Sequence, residues 1–269
     1  MAREVQEGVY WLYEGGHDRS DMVTDDDGVG PDWYREDETV HICQSAYLLV
    51  GDEGTLLFDT LSPDSGEHLL GELDEILGDR SLDYLVVSHP DVPHAGNAMS
   101  VLRAYPDCEL VAPRYGNDHE LYRLGEATHV GEGDSIDLGD FVVDFHEATF
   151  LDSPVHLWMT ERTMDALFTV DWLGFPHRSD EALYCVDEID ADLTHDRLFV
   201  FAGRVLFWHQ YVDVPKVQRE IDRLVDHYDP EMIFPAHGLV IREDATRYMT
   251  MMKDVVADIN ESDRIGILG

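Results

Sequence analysis

Imidazole and carboxylate side chains stand at the ends of several short apolar runs in this chain. The run from Leu82 to Val87 opens onto Ser88-His89-Pro90-Asp91-Val92-Pro93-His94. Leu167 to Val170 ends in Asp171, and Met232-Ile233-Phe234 runs into Pro235-Ala236-His237-Gly238. Asp152 and His156 lie shortly before Asp171. Imidazole nitrogen and carboxylate oxygen are donors that iron, zinc and manganese accept, and a set without thiolate points away from a structural zinc site. A lone histidine is ordinarily a hydrogen-bonded core residue, so the signal here is the coincidence of several donors at successive strand ends. Strand ends are where α/β folds gather side chains on a ligand, because the strand fixes the backbone and the loop after it is free to vary.

The elements that must hold these residues follow from hydrophobic period and turn chemistry. Gly8 to Tyr13 reads as a first strand, followed by an acidic, glycine-punctuated surface loop through Asp25, Asp26, Asp27, Gly28 and Gly30. Ala46 to Val50 and Thr55 to Phe58 form a hairpin around Gly51-Asp52-Glu53-Gly54, ending in Asp59-Thr60. Ser65 to Leu77 places Leu69, Leu70, Leu73, Ile76 and Leu77 on one helical face. A helix is expected from near Ala95, strands at Glu109 to Ala112 and Asp140 to Phe145, and helices near Asp180 to Asp187, Lys216 to His227 and Glu243 to Ile259. With no linker rich in proline, glycine or serine, residues 1–269 are expected to make one domain.

Composition narrows the setting. A formal charge of −39, from 57 acidic against 18 basic residues with 44% hydrophobic, requires an acidic surface over an ordinary core. Lys216 and Lys253 are the only lysines. Such a surface suits multimolar salt, where the Debye length is ~3 Å at 1 M. It repels phosphodiester backbones and argues against a nucleic-acid partner. Cys43, Cys108 and Cys185 are widely spaced and read as core residues, with neither a disulfide framework nor a zinc knuckle. Without a basic-then-apolar leader or an apolar run of ~20 residues, the chain is expected to be cytoplasmic, with no membrane partner.

Once the donors are in place, a family resemblance emerges. The run His89-Pro90-Asp91-Val92-Pro93-His94-Ala95-Gly96 is similar to the metal loop H-x-H-x-D-H of the metallo-β-lactamase superfamily. Leu56-Leu57-Phe58-Asp59-Thr60 resembles its upstream strand, and Met232 to Gly238 its last histidine motif. The resemblance implies an α/β, four-layer αβ/βα sandwich with two mixed sheets packed face to face. Within the superfamily the chain is most similar to the diiron domain of flavodiiron proteins, whose loop reads H-x-E-x-D-H. Asp91 takes the place of the family's glutamate, and Leu167 to Gly174 resembles the strand ending in the bridging aspartate. The resemblance then implies His89, Asp91, His94, Asp171 and His237 as metal ligands, with Asp171 the bridge. Pro93 stands where the family has aspartate, which removes one oxygen donor. Counted back from Asp171, Leu151-Asp152-Ser153-Pro154 falls on the family's L-H-W-P motif, so that Asp152 replaces its histidine; His156 is the rival, and the two stay open. Asp59 resembles the carboxylate that orients a metal-bound imidazole, and it equally suits the end of a strand in a turn. His41, His177 and Tyr211 are read as structural.

The resemblance implies a non-haem iron protein, with one or two irons, that binds or reduces oxygen or nitric oxide. A chain of 269 residues leaves no room for a flavodoxin-like domain, so the electrons are expected from a separate donor. A head-to-tail homodimer fits the family pattern. The donors also suit a metal-dependent hydrolase, such as a lactonase, thioesterase or phosphodiesterase, using zinc or manganese to activate water. A binding module with a decayed metal site is the third reading.

Overall fold

The computed structural model describes residues 1–25, 27–114, 126–153 and 155–262. Asp26 of the acidic loop and Pro154 of the L-D-S-P motif lie outside them. The chain divides into two compact units, each assembled from separate stretches: Met1–Glu14, Gln44–Thr149 and Ser153–Thr163 in the first, and Gly15–Cys43, Phe150–Asp152 and Met164–Gly269 in the second.

The first unit holds a seven-stranded sheet in the order Ala2–Gln6, Val9–Glu14, Gln44–Val50, Thr55–Phe58, Tyr84–Val86, Glu109–Pro113 and Thr128–Val130. Its first four strands pair antiparallel and the rest parallel. The inner parallel strands Thr55–Phe58, Tyr84–Val86 and Glu109–Pro113 are apolar along nearly their whole length, as burial on both faces requires. The helices Gly66–Leu77 and Ala98–Ala104 lay Leu69, Leu73, Leu77, Ala98 and Val101 against Leu48, Leu57, Leu85 and Val87 of the sheet. The first helix stops at Gly78, whose φ of 58° suits a residue without Cβ. A second antiparallel set, Ser135–Asp137, Val142–Glu147 and Leu157–Glu161, completes the unit.

The second unit contains the parallel pair Ala166–Val170 and Met232–Pro235, the two-stranded ribbon Val40–His41 with His177–Arg178, and the helices His195–Val205, Val214–Tyr228 and Ala245–Glu261. Asp213 caps Val214–Tyr228 by accepting from the Lys216 amide at 3.1 Å, and Pro215 sits in the first turn, where its missing N–H costs nothing. Tyr248, Met249, Met252, Val255, Val256 and Ile259 bury one face of the last helix at spacings of three and four.

Three sequence expectations change. The helix expected near Asp180 to Asp187 is two short 3₁₀ turns, Ser179–Glu181 and Val186–Glu188. The Glu181 and Glu188 carboxylates accept from the Arg178 and Cys185 amides at 2.9 and 2.8 Å, local bonds that compete with a continuous helix. The helix near Ala95 is split into Val92–Ala95 and Ala98–Ala104, because Asn97 between them donates to the carbonyls of Thr60 and Ser62 at 2.8 and 2.7 Å. The helix His195–Val205 has no counterpart in the sequence reading: buried Arg197 and Gly203 interrupt its apolar stripe of Leu198, Phe201 and Ala202.

Candidate metal centre

In the first unit, the parallel register Phe58↔Val86 sets the end of strand Thr55–Phe58 beside the end of Tyr84–Val86. Asp59, turned into left-handed backbone at φ 64°, is thereby placed next to Ser88. Its carboxylate is buried and accepts three hydrogen bonds: from the Ser88 amide at 2.8 Å, the Ser88 hydroxyl at 2.9 Å and His94 Nδ1 at 2.8 Å. The Ser88 hydroxyl gives its proton to Asp59, so at 3.1 Å it can only accept from His89 Nδ1. One carboxylate therefore fixes the proton of both imidazoles on Nδ1, directly in His94 and through Ser88 in His89. Each ring then presents its lone pair at Nε2, the tautomer a metal requires.

His156 joins them. Its neighbour Leu157 donates its amide to Ser88 O at 3.0 Å, which stacks the His156 ring on His89 with centroids 4.4 Å apart and planes 12° apart. His89 and His94 lie 4.1 Å apart by centroid, and all three rings are buried. Asp91 is the more exposed neighbour of this cluster. Its side chain is 58% exposed, and its carboxylate is 4.0 Å from His89 Nε2, beyond bonding range. Pro93 has a local role as well, since it occupies the first turn of Val92–Ala95, the helix that carries His94.

In the second unit, Asp171 follows the strand Ala166–Val170 and His237 follows Met232–Pro235. Both are buried, and Asp171 Oδ1 lies 3.1 Å from His237 Nε2. His237 Nδ1 is 2.7 Å from the carbonyl of Cys43, which can only accept, so Nδ1 carries a proton. In the neutral ring the Nε2 lone pair then faces a carboxylate oxygen. Two acceptors hold that distance only with a cation or a proton between them. Asp152 is exposed, on a segment fastened by Trp208 Nε1 donating to Leu151 O at 3.0 Å. Phe150 of that segment packs on Trp172, the residue after Asp171, at 5.1 Å between centroids.

The donor atoms so prepared are nitrogen lone pairs and carboxylate oxygens, and this set fits a divalent cation of the iron, manganese or zinc type. Within the units the structure brings together His89, His94, His156 and Asp59, and separately Asp171 and His237. The sequence reading missed Ser88 and Cys43. Ser88 could have been found from its place next to His89, whereas a backbone carbonyl such as that of Cys43 leaves no sequence signal. His177 is buried and donates Nδ1–H to Arg178 O at 2.8 Å, with burial holding its pKa down at about 4. Tyr211 is 81% exposed.

Residues 44–237 match the family model of the metallo-β-lactamase superfamily. The chain is 28% identical over 228 residues to the anaerobic nitric oxide reductase flavorubredoxin of Klebsiella pneumoniae, covering 81% of this chain and 45% of that protein. Among solved structures it is similar to rubredoxin oxygen:oxidoreductase from Desulfovibrio gigas, with a TM-score of 0.69 and 23% identity over 97% of this chain and 61% of the other. It is also similar to the flavodiiron protein from Giardia intestinalis, with a TM-score of 0.72 and 17% identity over 96% and 59%. The chain spans about half the length of the curated relatives it matches. These similarities make the fold that of flavodiiron cores, α/β with mixed sheets and helices, and the chain belongs to the metallo-β-lactamase superfamily.

Proposed function

We propose that the chain is a non-haem iron protein that binds and reduces oxygen or nitric oxide with electrons from a separate donor. In this reading the candidate ligands are His89, Asp91, His94 and His156 in the first unit, and Asp152, Asp171 and His237 in the second. The observation that carries it is His237 Nε2 facing Asp171 Oδ1 at 3.1 Å while Nδ1–H is committed to Cys43 O, an acceptor pair that a cation or a proton would bridge. The tautomers that Asp59 imposes on His89 and His94 support the same requirement. Relatives named as nitric oxide reductase and as oxygen:oxidoreductase support a diatomic ligand, and the similar flavodiiron protein supports iron.

Iron held by these residues would supply redox equivalents and open coordination positions for a small ligand. The chain's own share is to keep protons on Nδ1 of His94 and His237, so that Nε2 remains a donor; buried Trp172 follows Asp171, and buried Phe175 donates its amide to His237 O. Asp91, shorter than a glutamate, leaves the His89 side more open. We read residues 1–269 as one domain, because the chain passes repeatedly between the two units and a single family model spans both. The acidic composition supports a salt-adapted cytoplasmic protein, and a homodimer is the proposed assembly. Among the described residues no helix is long and apolar enough to cross a membrane.

Anaerobic reconstitution with Fe(II), followed by metal counting and optical spectra before and after oxygen or nitric oxide, tests the proposal. Stoichiometric iron with a spectrum that responds to either gas is the expected result. Zinc with esterase turnover, or no metal at all, would overturn it.

A further inference from the structure

Eight described residues other than glycine have positive φ, and four of these are aspartates. The remaining four are Leu61, Val170, Leu173 and Leu183. Val170, at φ 55°, is the β-branched one, the side-chain type least compatible with left-handed backbone because of its contact with the following carbonyl. It immediately precedes Asp171.

The surroundings explain how this conformation is held. Along the parallel pair, Ala166, Leu167 and Phe168 face Met232, Ile233 and Phe234 in order, and then Val170, not Thr169, faces Pro235. Thr169 is therefore an extra residue, a bulge of the kind that re-aims the side chains after it. Beyond the bulge, the Ala236 amide donates to Val170 O at 2.7 Å, and the Val170 side chain is buried. A tight turn follows, in which the Trp172 amide donates to Thr169 O at 3.1 Å and the Gly174 amide to Asp171 O at 3.4 Å. The Phe175 amide then donates to His237 O at 2.6 Å. The backbone carrying Asp171 is thus tied to the segment carrying His237 on both sides.

Side chains alternate along a strand, so an ordinary extended residue at 170 would send the next side chain to a different face. We propose that Val170 is a positioning residue: its left-handed backbone, locked by the bulge and by burial of its isopropyl group, aims the Asp171 carboxylate at His237 Nε2. This deepens the metal-centre reading and rests on Asp171 and His237 being ligands. A flexible residue at 170 would reach the same geometry only part of the time, and binding an ion would then have to order the turn.

The experiment compares Val170→Gly with Val170→Thr, which keeps the shape and the β-branch. Fe(II) affinity is measured anaerobically by competition with a chromophoric chelator. Hydrogen exchange of the Trp172 and Gly174 amides is measured in the metal-free protein. Val170→Gly is expected to bind Fe(II) about tenfold or more weakly and to lose protection at both amides, with Val170→Thr staying within about threefold of the parent. Unchanged affinity and protection in Val170→Gly, or an equal loss in Val170→Thr, would overturn the proposal. Should Val170→Gly fail to fold, Val170→Ala is read by the same criteria. If the parent protein takes up no Fe(II), the metal reading fails by itself, and the exchange data still decide whether Val170 constrains the turn.

Discussion

Asparagine in place of Asp59 keeps the shape of the side chain and removes both its charge and half of its accepting capacity. In the parent, Oδ1 accepts from the Ser88 amide, while Oδ2 accepts from the Ser88 hydroxyl and from His94 Nδ1. An asparagine has one oxygen and one NH₂. If the oxygen stays with the backbone amide, the NH₂ confronts His94 Nδ1 and can be satisfied only if that nitrogen gives up its proton, which moves to Nε2. That is the wrong tautomer for a ligand, and His89 loses its orientation through Ser88 at the same time. If the amide flips, the Ser88 N–H is left buried and unpaired at a cost of about 1–3 kcal/mol in stability. Losing one orienting partner of a metal-bound histidine typically weakens affinity 10- to 100-fold, or roughly 1.4–2.7 kcal/mol. The assay is Fe(II) competition with a chelator, run beside urea unfolding of the metal-free protein. The expected result is a drop in affinity of at least about tenfold together with moderate destabilisation. Ser88→Ala, which severs only the His89 arm, should lose less affinity than Asp59→Asn. An Asp59→Asn protein that is destabilised yet binds Fe(II) within about twofold of the parent would refute the reasoning, because Asp59 would then be no more than the end of a strand.

Asp91→Glu adds one methylene, roughly 1.5 Å of reach, to a carboxylate now 4.0 Å from His89 Nε2, and should tighten Fe(II) binding by about tenfold, readable in the same competition. Glu181→Gln should destabilise the fold by about 3–5 kcal/mol in urea, because the buried Glu181 pairs with Arg197 at 2.9 and 3.0 Å and with Arg178 at 3.1 Å; a loss below about 1 kcal/mol would mean the two guanidiniums find other acceptors. His177 and His209 are both held at about 4 by burial, below the ordinary value of about 6.5. The unfolded chain therefore takes up these protons first as the pH falls, so stability is full above about 6.5 and is lost down to about 4, on the order of 3 kcal/mol per group. His209→Phe should flatten that slope in urea titrations between pH 7 and pH 4.5, and an unchanged slope would rule His209 out as a contributor.

Which parts of this molecule could be read from sequence follows from where the constraint resides. The strands that end in donors were legible because Thr55–Phe58, Ala166–Val170 and Met232–Pro235 are almost wholly apolar, and a buried parallel strand has no alternative composition. The candidate donors after them stood out because several coincide at successive strand ends, where a single polar residue would carry no signal. The placement of His156 was not legible: it depends on a single backbone bond, Leu157 N to Ser88 O, that brings His156 onto His89, and no local pattern encodes a bond across some 70 residues of chain. The helix His195–Val205 escaped notice for a related reason. Arg197 looks like a surface residue, yet it is buried because Glu181 and the Trp33 ring wait for it, with the guanidinium 4.3 Å above the ring centroid. The left-handed Val170 is the sharpest case, since propensity alone assigns valine there to extended strand. In each case a tertiary contact overrides a local preference. Two of these overrides, at His156 and Val170, fall on segments that carry candidate donors, as the proposed metal centre would require where local stability gives way to geometry.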